Sequence, residues 1–94
     1  IRELIAEYKT LLTQAGINAS ESNNHIQPLI IGDPKETIEI SDQLYQKNIL
    51  VSAIRPPTVP KGTSRLRISI TAAHTTNDIN LFVQAITNIL NERS

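Results

Sequence analysis

The first fifteen residues place apolar side chains three and four positions apart, which is the spacing of one face of an α-helix. The positions on this face are Ile1, Leu4, Ile5, Tyr8, Leu11, Leu12 and Ala15. Gly16 follows them, and glycine readily adopts the left-handed conformation in which many helices end. The pattern therefore predicts a first helix that ends at Gly16, followed by a polar loop over residues 17–25.

Residues 26–31 are short, apolar and rich in β-branched side chains, which favours a strand that ends at Gly32. A strong helix start follows, because an N-cap, a proline at the first helical position and a capping-box acid occur in the order Asp33, Pro34 and Glu36. We predict a helix from this start to about Lys47, with Asn48 in the left-handed conformation. The residues predicted to face the core are Ile38, Leu44 and Tyr45.

Two further strands are predicted on either side of a proline-rich loop. Residues 49–54 are almost continuously apolar, which predicts a strand that is buried on both faces. Residues 55–63 break every regular pattern, and their three prolines fix φ and stiffen the loop. Residues 65–71 alternate strictly between apolar and polar, so one face of this strand is predicted to lie in the core. The outward face is predicted to carry Arg65, Arg67, Ser69 and Thr71, and the core face Leu66, Ile68 and Ile70.

A capping box over residues 75–78 begins the last predicted helix, whose apolar stripe is Ile79, Phe82, Ile86, Ile89 and Leu90. The helix between the first two strands favours a parallel crossover, and the third strand fits between them, antiparallel to both. The predicted fold class is therefore α+β, with a small three-stranded mixed or antiparallel sheet and helices packed on one face. The length predicts a single domain over residues 1–94.

The charges are unevenly distributed, although 9 basic and 9 acidic residues give a net charge of zero. Residues 43–77 contain no acid, and their basic residues are Lys47, Arg55, Lys61, Arg65 and Arg67. Such a segment attracts carboxylates, phosphates or an acidic partner. Acids from the helices are equally able to fold back and neutralise it, so both interpretations stay open.

The composition excludes several classes of protein. The absence of cysteine excludes disulfides and thiolate metal sites, and two distant histidines, His25 and His74, do not indicate a metal site. Aromatic residues make up only 3% of the chain, which is too few for base stacking in nucleic-acid binding. No apolar run reaches the roughly 20 residues of a membrane helix. The absence of cysteine favours a cytoplasmic protein. We also expect a fragment of a longer protein, because the chain starts inside a predicted helix without an initiator Met.

Arg67 is the best candidate for binding a ligand. Its planar guanidinium donates two parallel hydrogen bonds to a carboxylate, and its position in mid-strand predicts a rigid root. The alternative is that Arg67 pairs with a surface glutamate or covers a neighbouring element. The residue pattern alone leaves both open.

Several segments resemble the C-terminal region of the α-oxoamine synthases, which are pyridoxal-phosphate enzymes with the aspartate-aminotransferase type of fold. The matching segments are residues 27–33, 53–69, 71–75 and 78–79. The Ala-Ile-Arg-Pro-Pro-Thr run resembles the branch that condenses L-alanine with pimeloyl-CoA or the pimeloyl carrier protein, with loss of carbon dioxide, in biotin biosynthesis. The alternatives are the glycine C-acetyltransferase branch and a free-standing α+β module that binds an anion.

The resemblance implies a homodimeric acyltransferase and assigns substrate-binding roles to three residues. Arg67 falls on the arginine that clamps the amino-acid carboxylate, Thr58 falls on a substrate-contacting threonine, and Arg55 precedes the two prolines in a less defined role. The cofactor lysine and the residues that contact the pyridine ring lie upstream in the family. We therefore assign no catalytic, cofactor-binding or metal-binding residue to this chain. We expect it to need the large domain of the same polypeptide, to bind no cofactor alone and to be inactive alone.

Overall fold

The computed structural model describes residues 1–93, and within them it contains three helices and three strands. Their bounds are α1 Arg2–Gln14, β1 Ile26–Gly32, α2 Pro34–Gln46, β2 Ser52–Ile54, β3 Ser64–Ser69 and α3 Thr76–Arg93. The number and order of the elements confirm the predicted α+β class. The chain divides into two compact units, Ile1–Gln27 with Ser69–Ser94, and Pro28–Ile68.

The first unit is held together by the packing of α1 against α3. The buried residues of the two helices are Ile5, Tyr8 and Leu12 of α1, and Ile79, Phe82, Val83, Ile86 and Ile89 of α3. The rings of Tyr8 and Phe82 lie 5.9 Å apart at an angle of 45°, within the range of favourable aromatic pairs. The predicted stripes are confirmed at their centres. The prediction is wrong for Ile1 and Ala15, which are exposed because they flank the two ends of α1.

The loop between α1 and β1 is ordered by its own side chains. Gly16 has a φ of 81°, as predicted for the end of the helix. The Ser22 N–H donates to the Ser20 hydroxyl, and the Asn24 N–H donates to the Ser22 hydroxyl. The side chain of Asn24 in turn accepts the Ile26 N–H through Oδ1 at 3.1 Å. These bonds satisfy backbone groups that neither a helix nor a sheet pairs.

The strands form one open sheet in the order β1-β3-β2, so the third strand is central. The sheet is antiparallel, as predicted for the relation of the third strand to its neighbours. The register places Ser52 opposite Arg67, Ala53 opposite Leu66 and Ile54 opposite Arg65. Ser64, Leu66 and Ile68 are buried while Arg67 and Ser69 are exposed, which confirms the predicted alternation of β3.

The prediction for the second strand is wrong in its length and burial. β2 has three residues, and Leu50 is 84% exposed instead of buried on both faces. The cause lies at the end of α2, where the Ile49 N–H donates to the Leu44 carbonyl oxygen at 2.9 Å. Residue 49 therefore completes the helix terminus, and the chain becomes a strand only at Ser52.

α2 begins as predicted, because the Asp33 carboxylate accepts the Glu36 N–H at 2.9 Å. It also ends as predicted, with Asn48 at a φ of 65°. Its core face is partly wrong: Ile38 and Tyr45 are 37% and 67% exposed. The buried residues of α2 are Thr37, Ile40 and Leu44. The helix contacts β2, and the Thr37 hydroxyl tolerates burial because it donates to the Asp33 carbonyl oxygen.

α3 begins with a reciprocal capping box. The Thr75 N–H donates to Asp78 Oδ2 at 2.9 Å, and the Asp78 N–H donates to Thr75 Oγ1 at 3.1 Å. These bonds, with a smaller contribution from the charge of His74, lower the pKa of the Asp78 carboxyl from its ordinary value of 3.8. The box therefore stabilises the ionised form of Asp78.

We expect Asp78→Asn to lower the melting temperature near neutral pH by more than it does in acid. Because the folded pKa of Asp78 lies below the unfolded value, its contribution to stability is present above 3.8 and is lost as the pH falls through the folded pKa. Thermal unfolding followed by circular dichroism at about pH 6 and about pH 2.5 measures the difference. Asp42→Asn, at an exposed position of α2, is the matched control. A difference from wild type that stays the same at both pH values contradicts the prediction.

Candidate anion-binding site

Arg67 lies in the middle of β3, and its side chain is exposed. The residues on both sides of it, Leu66 and Ile68, are buried, so the strand holds the root of the guanidinium in place. Within residues 1–93, no hydrogen bond or ion pair engages the Arg67 side chain. The alternative that Arg67 pairs with a surface glutamate therefore does not hold in the described part of the chain.

Ser52 is the residue of β2 that lies directly opposite Arg67. Residues in this relation have Cβ atoms about 5 Å apart and share one face of the sheet. Ser52 is exposed, so a hydroxyl stands beside the free guanidinium. Ser52 is not among the residues predicted for the site, although a polar residue inside an apolar strand was a usable signal for it.

Arg55 and Thr58 are brought together by one turn of the proline-rich loop. The Thr58 N–H donates to the Arg55 carbonyl oxygen at 3.1 Å, and the Pro56–Pro57 peptide bond inside this turn is cis. Both side chains are exposed. Arg55 follows Ile54, the residue opposite Arg65, and lies three strand positions, or roughly 10 Å, beyond Ser52, the residue opposite Arg67.

A second turn in the same loop gives Arg65 a structural role that the sequence left undefined. The Thr63 N–H donates to the Pro60 carbonyl oxygen at 3.1 Å, and Gly62 has a φ of 81° within this turn. Arg65 Nε then donates to the Thr63 carbonyl oxygen at 3.1 Å, in a half-buried position. Arg65 therefore braces the loop from the strand, and Lys61 is exposed within the second turn.

The basic stretch is not neutralised within its own unit. No partner engages the side chains of Lys47, Arg55, Lys61 or Arg67 among residues 1–93. The acids of this unit all belong to the segment from Asp33 to Asp42, at the start and along the first turns of α2. The interpretation in which acids fold back onto the basic stretch therefore finds no contact at these four residues within the described part of the chain.

Residues 1–86 match the family described as aminotransferase class I and II, and the chain belongs to this family. It is 42% identical over 86 residues to 8-amino-7-oxononanoate synthase of Thioalkalivibrio sulfidiphilus, which covers 92% of this chain and 22% of that enzyme. The synthase of Methylobacillus flagellatus is 44% identical over 79 residues, covering 84% of this chain and 20% of that enzyme. The chain thus spans about a fifth of the length of these relatives.

Solved structures share the fold. 8-Amino-7-oxononanoate synthase from Francisella tularensis superimposes with a TM-score of 0.82 at 20% identity, over 98% of this chain and 27% of that chain. A serine palmitoyltransferase from S. paucimobilis with a bound PLP–myriocin aldimine has a TM-score of 0.79 at 24% identity, over 92% and 22% of the two chains. The family and this bound group indicate that the full-length enzymes depend on pyridoxal phosphate.

The four lysines of residues 1–93 are either exposed or hydrogen-bonded. A lysine that forms an imine is usually desolvated or placed next to another cation, so that its amine is nucleophilic. Lys35, Lys47 and Lys61 are exposed. Lys9 donates from Nζ to the Ser22 carbonyl oxygen and to Asn23 Oδ1, both at 3.0 Å.

Two further kinds of site are not found in the described residues. No three His, Asp or Glu side chains in residues 1–93 gather closely enough to hold a metal ion. None of the helices in this range has both the length and the apolar content needed to cross a bilayer.

Proposed function

We propose that this chain is the C-terminal domain of an 8-amino-7-oxononanoate synthase. The complete enzyme would condense L-alanine with pimeloyl-CoA or the pimeloyl carrier protein, with loss of carbon dioxide, in biotin biosynthesis. The observation that carries the proposal is the free guanidinium of Arg67 on a rigid strand, in a chain about 40% identical to synthases of this type. The complete enzyme would be a cytoplasmic homodimer, with its large domain supplied by the same polypeptide.

Arg67 would hold the carboxylate of alanine through two charge-assisted hydrogen bonds. Holding both oxygens fixes the direction of the bond between the α-carbon and the carboxylate, which is the bond that breaks when carbon dioxide leaves. Pyridoxal phosphate, when bound in the complete enzyme, supplies the electron sink for this chemistry. Ser52, opposite Arg67, would restrain the guanidinium or hydrogen-bond the same carboxylate.

Thr58 and Arg55 would complete the substrate-binding side of the loop. The turn that joins them fixes both residues at the end of β2, and three prolines limit the movement of the loop. A loop stiffened in this way loses less conformational entropy when substrate binds. Thr58 would offer its hydroxyl to the substrate, and Arg55 would face the acyl group or brace the loop.

The cofactor lysine would lie outside this chain, which would then be inactive alone. We expect the isolated 94-residue chain, mixed with pyridoxal phosphate and borohydride, to show only scattered modification of its lysines. Peptide mapping by mass spectrometry measures the distribution. The same chain unfolded in urea provides the matched control. Stoichiometric trapping at one lysine in the folded chain would contradict the prediction.

The complete open reading frame tests the proposed activity. We expect a cofactor-lysine motif upstream of Ile1 and an enzyme that prefers L-alanine with a pimeloyl thioester. A preference for glycine with acetyl-CoA would favour the glycine C-acetyltransferase alternative. A start codon directly before Ile1 would leave only the free-standing anion-binding module.

A further inference from the structure

Arg67 has a neighbouring strand on each side, because β3 is central in the sheet. The neighbour on the β1 side follows from one backbone bond, in which the Ile70 N–H donates to the His25 carbonyl oxygen at 2.8 Å. Opposed residues of an antiparallel ladder have numbers with a constant sum, so this bond fixes the register of the two strands. The register places Pro28 opposite Arg67.

The other end of β1 agrees with this register. The same constant sum places Gly32 opposite Thr63, and a Cβ at Gly32 would lie 3.6 Å from the carbonyl oxygen of the adjacent Gly62. In the middle of the ladder the register opposes Leu29 and Leu66, and both of these side chains are buried. Three separate positions therefore support one pairing.

A proline is compatible with this pairing because its nitrogen faces away from β3. The His25 carbonyl group faces β3, and the direction of the backbone groups alternates along a strand, so those of Pro28 face the free edge. Pro28 and Arg67 are thus opposed without exchanging hydrogen bonds. Side chains approach most closely in such pairs, whose Cα atoms are about 4.5 Å apart.

Pro28 is also more shielded than its neighbours on the same face of β1. It is half-buried, whereas Ile26 and Ile30 are 37% and 56% exposed. Arginine side chains commonly cover apolar surface with their methylene groups while the guanidinium stays in water. No hydrogen bond or ion pair holds the Arg67 side chain within residues 1–93, so packing of its methylene groups is what can restrict it there.

We propose that Pro28 is a positioning residue for Arg67. Its rigid ring packs against the methylene groups of Arg67 and limits the conformations of the guanidinium before a substrate arrives. The inference rests on the proposed function, under which this guanidinium holds the carboxylate of L-alanine. A side chain that is restricted beforehand loses less conformational entropy when it binds, so the ring favours capture of the carboxylate.

Steady-state kinetics of the complete enzyme with L-alanine and pimeloyl-CoA test this role. We expect Pro28→Ala, which removes the ring, to raise the KM for L-alanine about 3- to 10-fold, because more conformations of Arg67 must be frozen on binding. The KM for pimeloyl-CoA should stay within about twofold of wild type, because that substrate does not depend on the carboxylate clamp. An equal rise in both KM values would indicate general damage and overturn the inference.

Two variants of the same strand are matched controls. Pro28→Val restores a branched apolar side chain beside Arg67, and its new N–H faces the free edge, so it should recover most of the lost affinity for L-alanine. Ile30→Ala truncates a larger, exposed side chain on the same face and should leave the KM for L-alanine within about twofold of wild type. A defect that persists in Pro28→Val, or that also appears in Ile30→Ala, would overturn the inference.

A double-mutant cycle tests whether Pro28 acts through Arg67. In an enzyme that already carries Arg67→Ala, adding Pro28→Ala should change the KM for L-alanine by less than about twofold, because the side chain that it positions is gone. Full additivity of the two effects would overturn the inference, and so would a wild-type KM in Pro28→Ala alone. Wild-type alanine kinetics in Arg67→Ala would instead defeat the clamp of the proposed function.

Discussion

Replacing Arg67 with alanine in the complete enzyme is expected to lower kcat/KM for L-alanine by about 10- to 100-fold. The physical reason is the loss of a charge-assisted pair with the substrate carboxylate, which is worth about 1.5–3 kcal/mol. The side chain has no other partner in residues 1–93, so its removal leaves no orphaned group within this part of the protein. The effect should therefore appear in kinetics and not in folding.

Two further variants separate geometry from charge. Arg67→Lys keeps the charge but loses the planar fork, so we expect it to recover only part of the lost kcat/KM. Arg2→Ala, at an exposed position of α1, is the control for the same chemical change and should leave the kinetics unaltered. Wild-type alanine kinetics in Arg67→Ala would disprove the clamp. Unfolding curves recorded beside the kinetics would exclude a loss of stability as the cause.

The second large effect is expected from Leu66→Ala, which should lower the free energy of unfolding of the chain by about 2–5 kcal/mol. Leu66 is fully buried in the central strand, opposite Ala53. Truncation removes apolar contacts and leaves a cavity that Ala53 is too small to fill. The free energy of unfolding of small domains is about 5–15 kcal/mol in total, so the substitution removes a large part of it.

Urea unfolding followed by circular dichroism measures this loss. Leu50→Ala is the matched control, since Leu50 is 84% exposed and the same truncation there should change stability by less than about 0.5 kcal/mol. Equal effects at the two positions would contradict the assignment of Leu66 to the core. In the complete enzyme, Leu66→Ala should also reduce the use of alanine, because Leu66 anchors the strand segment that carries Arg67.

Much of the site was predictable because β3 has a strict period of two. That period alone separates Leu66 from Arg67 and places the arginine on the outward face, and the structure confirms this. The family resemblance then implies which ligand this face binds, the carboxylate of the amino-acid substrate. The pairing of Ser52 with Arg67 was not predictable, since it depends on the register between two strands and on where β2 begins.

The role of Arg65 shows the same limit. In the sequence it is one of two equivalent arginines on an alternating strand. In the fold its Nε bonds the Thr63 carbonyl oxygen, while Arg67 remains free. Which arginine braces the loop and which is available to a ligand depends on the path of the loop, which its two hydrogen-bonded turns define.

Local chemistry was enough to determine the order of elements, the caps of α2 and α3, and the outward face of β3. Those features arise from neighbouring residues: a carboxylate three residues from an N–H, a proline that fixes φ, an alternation along one strand. The buried face of α2 and the register that places Ser52 opposite Arg67 depended on contacts between distant segments. α2 carries two possible apolar stripes, and the fold buries Thr37, Ile40 and Leu44 while leaving Ile38 and Tyr45 exposed.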